Sequence, residues 1–234
     1  MSTFLAELVG TMCLILLGDG VVANVILKRT KGENSGWIVI TWGWACAVLI
    51  PAMIFGGISG AHFNPALTIA LAAIGKFAWA DVPMYIIAQM IGAIIGAVLV
   101  WIHYLPHWAE TEDQGTKLGV FCTGPAVRSY GANLISEIIG TFALVFFILG
   151  LGTVDMAAGL GTFVVGLVIL SIGVSLGGTT GYAINPARDL GPRIAHAILP
   201  IAGKGDSDWS YAWVPVVGPI IGALLGAFFF AAIF

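Results

Sequence analysis

Long apolar runs separated by short polar segments follow one another along most of the chain. A helix that crosses a bilayer needs about 20 predominantly apolar residues, because its length must match the hydrocarbon core. Six runs meet this requirement, and the pattern therefore predicts six spanning helices. Their expected bounds are Phe4–Leu27, Trp37–Phe55, Val82–Tyr104, Leu134–Leu151, Leu160–Leu176 and Tyr211–Ile233.

Tryptophans lie near the ends of several of these runs. Trp is enriched where a membrane meets water, since one end of its ring system is apolar and its N–H is polar. We therefore expect a set of tryptophans to mark the two interfaces. They are Trp37, Trp79, Trp101, Trp108, Trp209 and Trp213.

Two further apolar segments, about Asn64–Gly75 and Asn185–Ile198, are too short to cross a membrane. Both begin with Asn-Pro-Ala. Asn is a favoured helix N-cap, and Pro is favoured in the first turn, where N–H groups have no partner within the helix. One Asn-Pro pair would suggest only a turn, but two copies, each preceded by glycine, predict two helix starts. The residues are Asn64, Pro65 and Ala66 in the first copy and Asn185, Pro186 and Ala187 in the second.

Half-length helices at membrane depth are tolerated only where they are buried in protein or line a water-filled cavity. We therefore expect two re-entrant half-helices whose N-termini face each other near the midplane. A helix N-terminus carries unpaired N–H groups and the positive end of the helix dipole. The sequence thus predicts an electropositive polar point in the middle of an apolar protein.

The two halves of the chain repeat. Ala6–Thr11 is similar to Ser136–Thr141, and Ile91–Ala97 is similar to Val217–Ala223. Because each half contains three spans, an odd number, the second half enters the membrane from the opposite side. The result is an inverted repeat, in which a binding site is expected near the midplane where the halves meet.

The chain is expected to form one transmembrane domain over residues 1–234. Its repeats would cover about 1–104 and 132–234, joined by a loop at 105–131. Glycines four residues apart near the end of each repeat predict close helix packing, because they let two backbones approach. We interpret most of these glycines as structural.

The composition excludes an ordinary water-soluble domain. Hydrophobic residues make up 59% of the chain and charged residues 9%, with a mean hydropathy of +1.01, whereas soluble domains carry about 25% charged residues. The net charge is −3 and no basic run occurs, so nothing indicates nucleic acid binding. Three scattered cysteines suggest neither a disulfide framework nor a metal site, and no cofactor is expected. No Lys or Arg precedes the first apolar run, unlike in a cleaved signal peptide, so we expect this run to remain a span.

Carboxylates inside the predicted spans are costly and usually functional. Glu7 and Glu137 occupy equivalent positions in the two halves. This equivalence favours structural acceptors for buried backbone N–H groups over proton coupling. His62 is expected to be a buried hydrogen-bonding partner rather than a metal ligand. Asp19 has no equivalent in the second half, and the sequence assigns it no role.

The paired Asn-Pro-Ala segments in an inverted six-span repeat resemble the aquaporin superfamily, and the resemblance covers essentially the whole chain. Asp189 directly after Arg188, Arg193 four residues later, and Pro215-Val216 are similar to its glycerol-facilitator branch. The resemblance implies an all-α membrane fold of six transmembrane helices and two re-entrant half-helices. It also implies a homotetramer in the cell membrane, in contact with membrane lipid and with one pore per subunit.

The orientation in the membrane receives two conflicting predictions. Lys28, Arg29 and Lys31 follow the first span, whereas the loops after the second and fourth spans offer only Lys76. Cytoplasmic loops normally carry the positive excess, so the charges alone predict external termini. The family resemblance implies cytoplasmic termini, and we follow it because the half-helix pattern is far more specific.

The resemblance also implies where the pore is narrowest. Counting from each Asn without gaps places the family's constriction on Trp44, Gly173, Tyr182 and Arg188, with Trp42 as an alternative to Trp44. An aromatic corner suits the CH face of glycerol, and Arg188 donates hydrogen bonds to its hydroxyl oxygens. Gly173 is expected to leave room that a His would fill in a water-only pore.

The function expected from these features is passive passage of water, glycerol and other small uncharged solutes such as dihydroxyacetone, urea and undissociated lactic acid. Ions and protons would be excluded by the half-helix dipoles and the arginine. A water-selective channel is the alternative. A proton-coupled transporter is a further one, but it would need a titratable residue at the midplane, where both breaks carry Asn. No nucleophile–base pair converges on a predicted site, so an enzyme is not expected.

Overall fold

The computed structural model describes residues 1–234 and is entirely helical. Five helices are long and apolar enough to cross a membrane by length and composition. The sixth apolar helix has 17 residues, which is about the shortest length that spans a bilayer. The six predicted spans are all present as α1 (Thr3–Ile26), α2 (Trp37–Ser59), α4 (Val82–His103), α7 (Tyr130–Leu151), α8 (Leu160–Leu176) and α10 (Val214–Ile233).

The two predicted half-helices are confirmed as α3 (Pro65–Ala73) and α9 (Pro186–Ile198). Each is capped by the Asn that precedes it. The Asn64 side chain accepts a hydrogen bond from the Ala66 N–H at 2.9 Å, and Asn185 accepts from the Ala187 N–H at 3.0 Å. Pro occupies the first turn in both helices. Both half-helices therefore begin as the Asn-Pro pairs predict.

Glycines permit close approach of the paired spans in each half. The α4 helix packs on α1, and α10 packs on α7. A Cβ atom at Gly96 would lie 2.6 Å from the Met12 carbonyl oxygen, and one at Gly226 would lie 2.7 Å from that of Phe142. Any larger residue at these positions would therefore separate the helices. Close packing through glycine occurs in both halves of the chain.

The second span is longer than predicted. It continues beyond Phe55 to Ser59 and ends where Gly60 adopts a left-handed conformation with φ of 82°. Glycine reaches this conformation without a Cβ clash, so the chain can turn sharply toward the first half-helix.

The segment expected as a loop at 105–131 contains two short helices, α5 (Leu105–Glu110) and α6 (Gln114–Phe121). Asp113 caps α6 by accepting a hydrogen bond from the Thr116 N–H at 3.0 Å. Trp108 was predicted at an interface but is fully buried. Its ring stacks on Phe121, with centroids 5.4 Å apart, and its N–H donates to the Trp101 carbonyl.

Candidate functional site

The two half-helices meet through their capping asparagines. Asn64 Nδ2 donates to the Ile184 carbonyl at 2.8 Å, and Asn185 Nδ2 donates to the Phe63 carbonyl at 2.8 Å. Each bond joins one half of the chain to the other, and the two bonds are reciprocal. A side-chain amide has two N–H donors, so each Asn keeps a second N–H that it can offer to a passing oxygen atom. Both asparagines line the same cavity.

The backbone before each Asn is strained. Ala61 and Phe63 have φ of 51° and 47°, and Tyr182 and Ile184 have φ of 40° and 43°. Non-glycine residues in this left-handed region cost about 1–3 kcal/mol each and persist only when their surroundings hold them. Because the same alternation of left-handed residues occurs in both halves, we interpret the strained backbone as a structural feature of the site.

Glu7 holds the first of these strained segments. Its carboxylate accepts hydrogen bonds from the His62 and Phe63 N–H groups at 2.9 and 2.8 Å. The Ser59 hydroxyl and the Gln89 amide donate to the same carboxylate at 2.6 and 2.8 Å. Four donors thus surround one buried carboxylate, which holds the backbone of residues 62 and 63 in place.

Glu137 makes the equivalent contacts in the second half. The Ala183 and Ile184 N–H groups donate to it at 3.0 and 2.9 Å, and the Thr180 hydroxyl donates at 2.7 Å. Glu137 is almost completely buried, as Glu7 is. Two carboxylates thus fix the two backbone turns that lead into the half-helices.

His62 lies beside the first half-helix in an aromatic pocket. Its Nδ1 atom lies 3.1 Å from the Thr68 hydroxyl, and its ring packs against Phe77 and Tyr85 at centroid distances of 4.8 and 5.0 Å. The contacts are those of a hydrogen-bonded, packed side chain. Its ring also lines the central cavity.

Three cavities lie end to end through the protein. The central one has a volume of about 80 Å³ and is lined mainly by apolar side chains. On one side it adjoins a cavity of about 480 Å³, which we call the filter-side vestibule. On the other side it adjoins a cavity of about 280 Å³, the opposite vestibule. The central cavity is therefore the smallest of the three, and each vestibule shares lining residues with it.

The residues that border both the central cavity and the filter-side vestibule are Trp44, Tyr182 and Arg188. The Arg188 guanidinium lies over the Trp44 ring, 4.0 Å from its centroid. Trp42, the alternative position, has 50% of its surface exposed on the outside of the protein. The structure therefore brings three of the four predicted constriction residues together and places Trp44 rather than Trp42 against the arginine.

Gly173, the fourth predicted constriction residue, lies behind the Tyr182 ring. A Cβ atom there would lie 2.8 Å from Tyr182 Cζ and 2.9 Å from the Thr41 methyl group. The space beside Gly173 is thus filled by the Tyr182 ring, and Gly173 borders neither cavity. The room that Gly173 leaves is therefore occupied by a neighbouring side chain, and the effect of a larger residue at 173 on the width of the pore stays a prediction.

Tyr182 is held by a second aromatic residue. Its ring meets Trp37 edge to face, with centroids 5.8 Å apart, and Trp37 Nε1 donates to the Gly173 carbonyl at 3.0 Å. The Tyr182 hydroxyl is buried without a protein hydrogen-bond partner. Trp37 was predicted only as an interfacial residue at the start of the second span, and no local sequence pattern indicates its contact with Tyr182.

Arg188 is anchored on the side away from the pore. Its Nη1 atom donates to the Phe121 carbonyl and to Asp19 Oδ1, both at 3.2 Å. Asp19, for which no role was predicted from the sequence, is fully buried. The signal that could have found it was its lack of an equivalent in the second half.

Asp189 and Arg193 form a separate buried pair in the second half-helix. Arg193 Nε and Nη2 donate to the two Asp189 oxygens at 2.7 and 3.0 Å. Asp189 also accepts from the Thr123 N–H and hydroxyl, and Arg193 donates to the Ser207 carbonyl. These bonds tie two connecting segments to the half-helix behind the constriction.

One ion pair lies at the filter-side vestibule itself. Arg128 donates to the Asp208 carboxylate at 3.1 and 2.5 Å. Burial alone would raise the pKa of Asp208, but the hydrogen bonds from Arg128 and Ser210 hold the pKa below its ordinary value. This carboxylate is therefore charged at neutral pH, opposite a cation in the same wall.

Comparisons with known proteins agree with this geometry. The sequence model of the family described as Major intrinsic protein matches residues 1–230. The chain is 64% identical over 219 residues to a probable glycerol uptake facilitator protein of Thermotoga maritima, covering 94% of each. It is 40% identical over 236 residues to a D/L-lactic acid transporter of Lactiplantibacillus plantarum, covering 98% of this chain and 97% of the other. The X-ray structure of the aquaglyceroporin from Plasmodium falciparum superposes with a TM-score of 0.88 at 32% identity, covering 98% of this chain and 95% of that one.

Proposed function

Since this chain belongs to the major intrinsic protein family, we propose that it is a passive channel for glycerol, other small uncharged solutes and water. The relative named as a probable glycerol uptake facilitator protein, at 64% identity, supports glycerol as the main solute. The observation that carries the proposal is the central cavity. Polar donors from Asn64, Asn185 and Arg188 occur there in a wall that is otherwise mostly apolar.

Glycerol matches such a wall because it is itself two-sided. Its carbon backbone presents CH groups on one side, which suit the Trp44 ring and the aliphatic side chains. Its hydroxyl oxygens on the other side accept hydrogen bonds from the amides of Asn64 and Asn185 and from the arginine. A solute can exchange its water for these donors at each step, so no part of the pore has to move or react.

Ions would not find equivalent compensation. A charged group loses far more hydration energy than a hydroxyl when it enters an apolar passage. The N-termini of α3 and α9 add a positive potential at the midplane, which opposes protons and other cations. Both breaks carry Asn, which does not titrate, and this supports a channel rather than a proton-coupled transporter.

The assembly and orientation belong to the same proposal. We place the chain in the cell membrane as a homotetramer, with one pore in each subunit and with cytoplasmic termini. Large apolar side chains on the outer faces of the spans, such as Ile54, Met53 and Phe228, are more than half exposed. They would contact membrane lipid or neighbouring subunits.

The test is stopped-flow light scattering on proteoliposomes containing the purified protein. Vesicles are shrunk by a step of external glycerol or of a disaccharide that is too large to enter. We expect rapid re-swelling in glycerol, none in the disaccharide, and only slow re-swelling of protein-free vesicles. If glycerol and the disaccharide gave the same trace, the proposal would be wrong. Fast water efflux with no glycerol entry would instead identify a water-selective channel.

Undissociated lactic acid belongs to the proposed range of solutes. It is about the size of glycerol and carries a hydroxyl beside its carboxyl group, and one relative is named as a lactic acid transporter. The lactate anion would have to lose its hydration in a largely apolar channel, which is very costly. The neutral acid avoids this cost and is populated in acidic medium, since its carboxyl pKa is about 3.5–4.

Labelled uptake at fixed total lactate across a pH series tests this part. Protein-dependent uptake, after subtraction of protein-free vesicles, should follow the undissociated fraction and fall as the pH rises. Uptake that stayed constant or increased toward neutral pH would show that the anion crosses.

A further inference from the structure

We infer that Asp19 determines specificity at the constriction, by cancelling the charge of Arg188 so that the pore favours neutral solutes over carboxylate anions. The inference rests on the proposed channel function. It begins from a residue whose partner lies 169 positions away in the sequence, at an Nη1–Oδ1 distance of 3.2 Å.

Asp19 differs from the other two buried carboxylates of the spans. Glu7 accepts four hydrogen bonds and Glu137 accepts three, all from groups that shape the half-helix entries. The Asp19 side chain accepts only the bond from Arg188, and its second oxygen has no protein partner. A carboxylate placed to hold backbone would be surrounded by donors. This one is placed beside a cation.

The other half of the molecule supports this interpretation. By the alignment that relates Glu7 to Glu137, the equivalent of Asp19 is Leu149. By the alignment that relates Asn64 to Asn185, the equivalent of Arg188 is Leu67. Leu149 and Leu67 lie in one hydrophobic cluster. One end of the pore thus has the buried charge pair Asp19–Arg188, where the other end has the apolar pair Leu149–Leu67. The charge pair has no equivalent in the other half of the molecule.

The arginine keeps its function in this arrangement. Guanidinium groups stay protonated in proteins and have five N–H donors. Those of Nη1 face Asp19 and the Phe121 carbonyl, whereas Nε and Nη2 have no protein acceptor, and Arg188 lines both adjoining cavities. The donors needed by a hydroxyl thus remain, while the net charge that would attract a carboxylate is balanced from behind. Exclusion of cations then depends mainly on the half-helix N-termini.

Asp19→Asn tests the inference because the amide oxygen can still accept from Nη1 while the negative charge is lost. Uptake of labelled lactate is measured at pH 8 in proteoliposomes with an inside-positive diffusion potential. At this pH only about one molecule in ten thousand is the neutral acid. Glycerol flux is measured on the same vesicles. We expect the ratio of lactate anion flux to glycerol flux to rise by about tenfold or more, since the charge of Arg188 is no longer balanced.

Two further variants distinguish the loss of the Asp19 charge from a general disruption of the protein. Glu112→Gln removes one negative charge from an exposed position in a neighbouring surface cavity, and both fluxes should stay at wild-type levels. Asp19→Asn combined with Arg188→Gln restores neutrality, and the lactate anion flux should return to that of the wild type. A leak caused by a disrupted helix would persist in the double variant.

An unchanged flux ratio in Asp19→Asn, with the protein inserted and conducting glycerol, would overturn the inference. If this variant did not insert, Asp19→Ser would be held to the same expectation. A leak that persisted in the double variant would also overturn it. Absence of glycerol flux in the wild type would contradict the proposed function instead, so the two failures can be told apart.

Discussion

The two mouths of the pore occupy equivalent positions in the two repeats but differ in chemistry. The filter side is formed by Trp44, Tyr182 and Arg188, which border both the central cavity and the filter-side vestibule. The sequence spacing that relates Asn64 to Asn185 relates these three residues to Val165, Ala61 and Leu67. Those three border both the central cavity and the opposite vestibule.

The two mouths also differ in the sizes of two neighbouring side chains. At the filter, glycine at 173 seats the large Tyr182 ring, whereas the equivalent positions of the opposite mouth hold Ala52 and Ala61, two small residues. The opposite vestibule also has no charged residue in its wall, while the filter-side vestibule has three, Arg128, Arg188 and Asp208. The two repeats therefore form a symmetric frame, and a few side chains at matched positions give its two ends different size and charge.

The largest effect is expected at the midplane, where the halves are alike. In Asn185→Asp a carboxylate would face the Phe63 carbonyl that Asn185 now donates to at 2.8 Å, and it would place a negative charge in the pore. Asn64→Asp does the same toward the Ile184 carbonyl. We expect glycerol flux in proteoliposomes to fall by about a hundredfold in both variants, with a cation leak, because a buried unpaired charge is very costly.

Asn34→Asp, at an exposed position outside the pore, is the matched control and should conduct glycerol normally. Equal losses in the two midplane variants would support the symmetric frame. Normal glycerol flux in either, in correctly inserted protein, would show that its amide is not a donor to solute.

A smaller effect is expected at Gly173 and Tyr182, where the two halves differ in side-chain size. Gly173→Ala places a methyl group within 2.8 Å of the Tyr182 ring, which must then move toward the pore. We expect glycerol flux to fall by about tenfold and water flux by less, since the cost of overpacking is typically 1–3 kcal/mol. Stopped-flow traces for both solutes would measure this.

Adding Tyr182→Ala to Gly173→Ala recreates the alanine pair of the opposite mouth and should restore glycerol flux. Gly20→Ala is the control, because a Cβ atom there meets nothing within 4 Å. If the double variant were as slow as Gly173→Ala alone, displacement of Tyr182 would not be the cause.

The smallest effect concerns the charged wall of the filter-side vestibule. The pKa of Asp208 is below its unfolded value of 3.8, so its contribution to folding is present above that pH and is lost as the pH falls through the lowered folded pKa. The pair with Arg128 is partly exposed, and such pairs contribute about 0.2–1 kcal/mol. Asp208→Asn should therefore lower the thermal unfolding midpoint slightly at pH 7, and the difference should shrink below pH 4.

Asp155→Asn, at an exposed position, should leave the midpoint unchanged at both pH values. A difference between wild type and Asp208→Asn that grew on acidification would contradict the assigned sign.

Much of the frame was predictable because it depends on local physics. Apolar run length located six spans, and the Asn-Pro pairs located both half-helix starts, since capping involves atoms only two or three residues apart. The short helices α5 and α6 were missed because a helix of six or eight residues has little apolar periodicity. Only Asp113, a good N-cap, marked one of them.

The site was less predictable where side chains meet across the sequence. The role of Gly173 depended on the direction of the Tyr182 ring, which no local pattern determines. The partner of Asp19 lay in the other repeat. The assignments of Trp44, Tyr182 and Arg188 came from family resemblance, and their part in selectivity stays a prediction until flux is measured.

The most direct test of a one-ended filter compares Trp44→Val with Val165→Ala. The first gives the filter the residue that its counterpart carries, and the second enlarges the opposite mouth. The measurement is the permeability of a four-carbon or five-carbon polyol relative to glycerol in proteoliposomes. If selection occurs at the Trp44 end, the relative permeability should increase by about tenfold, or 1.4 kcal/mol, in Trp44→Val and change by less than about twofold in Val165→Ala. Equal changes in the two variants, or a larger one in Val165→Ala, would contradict selection at the Trp44 end.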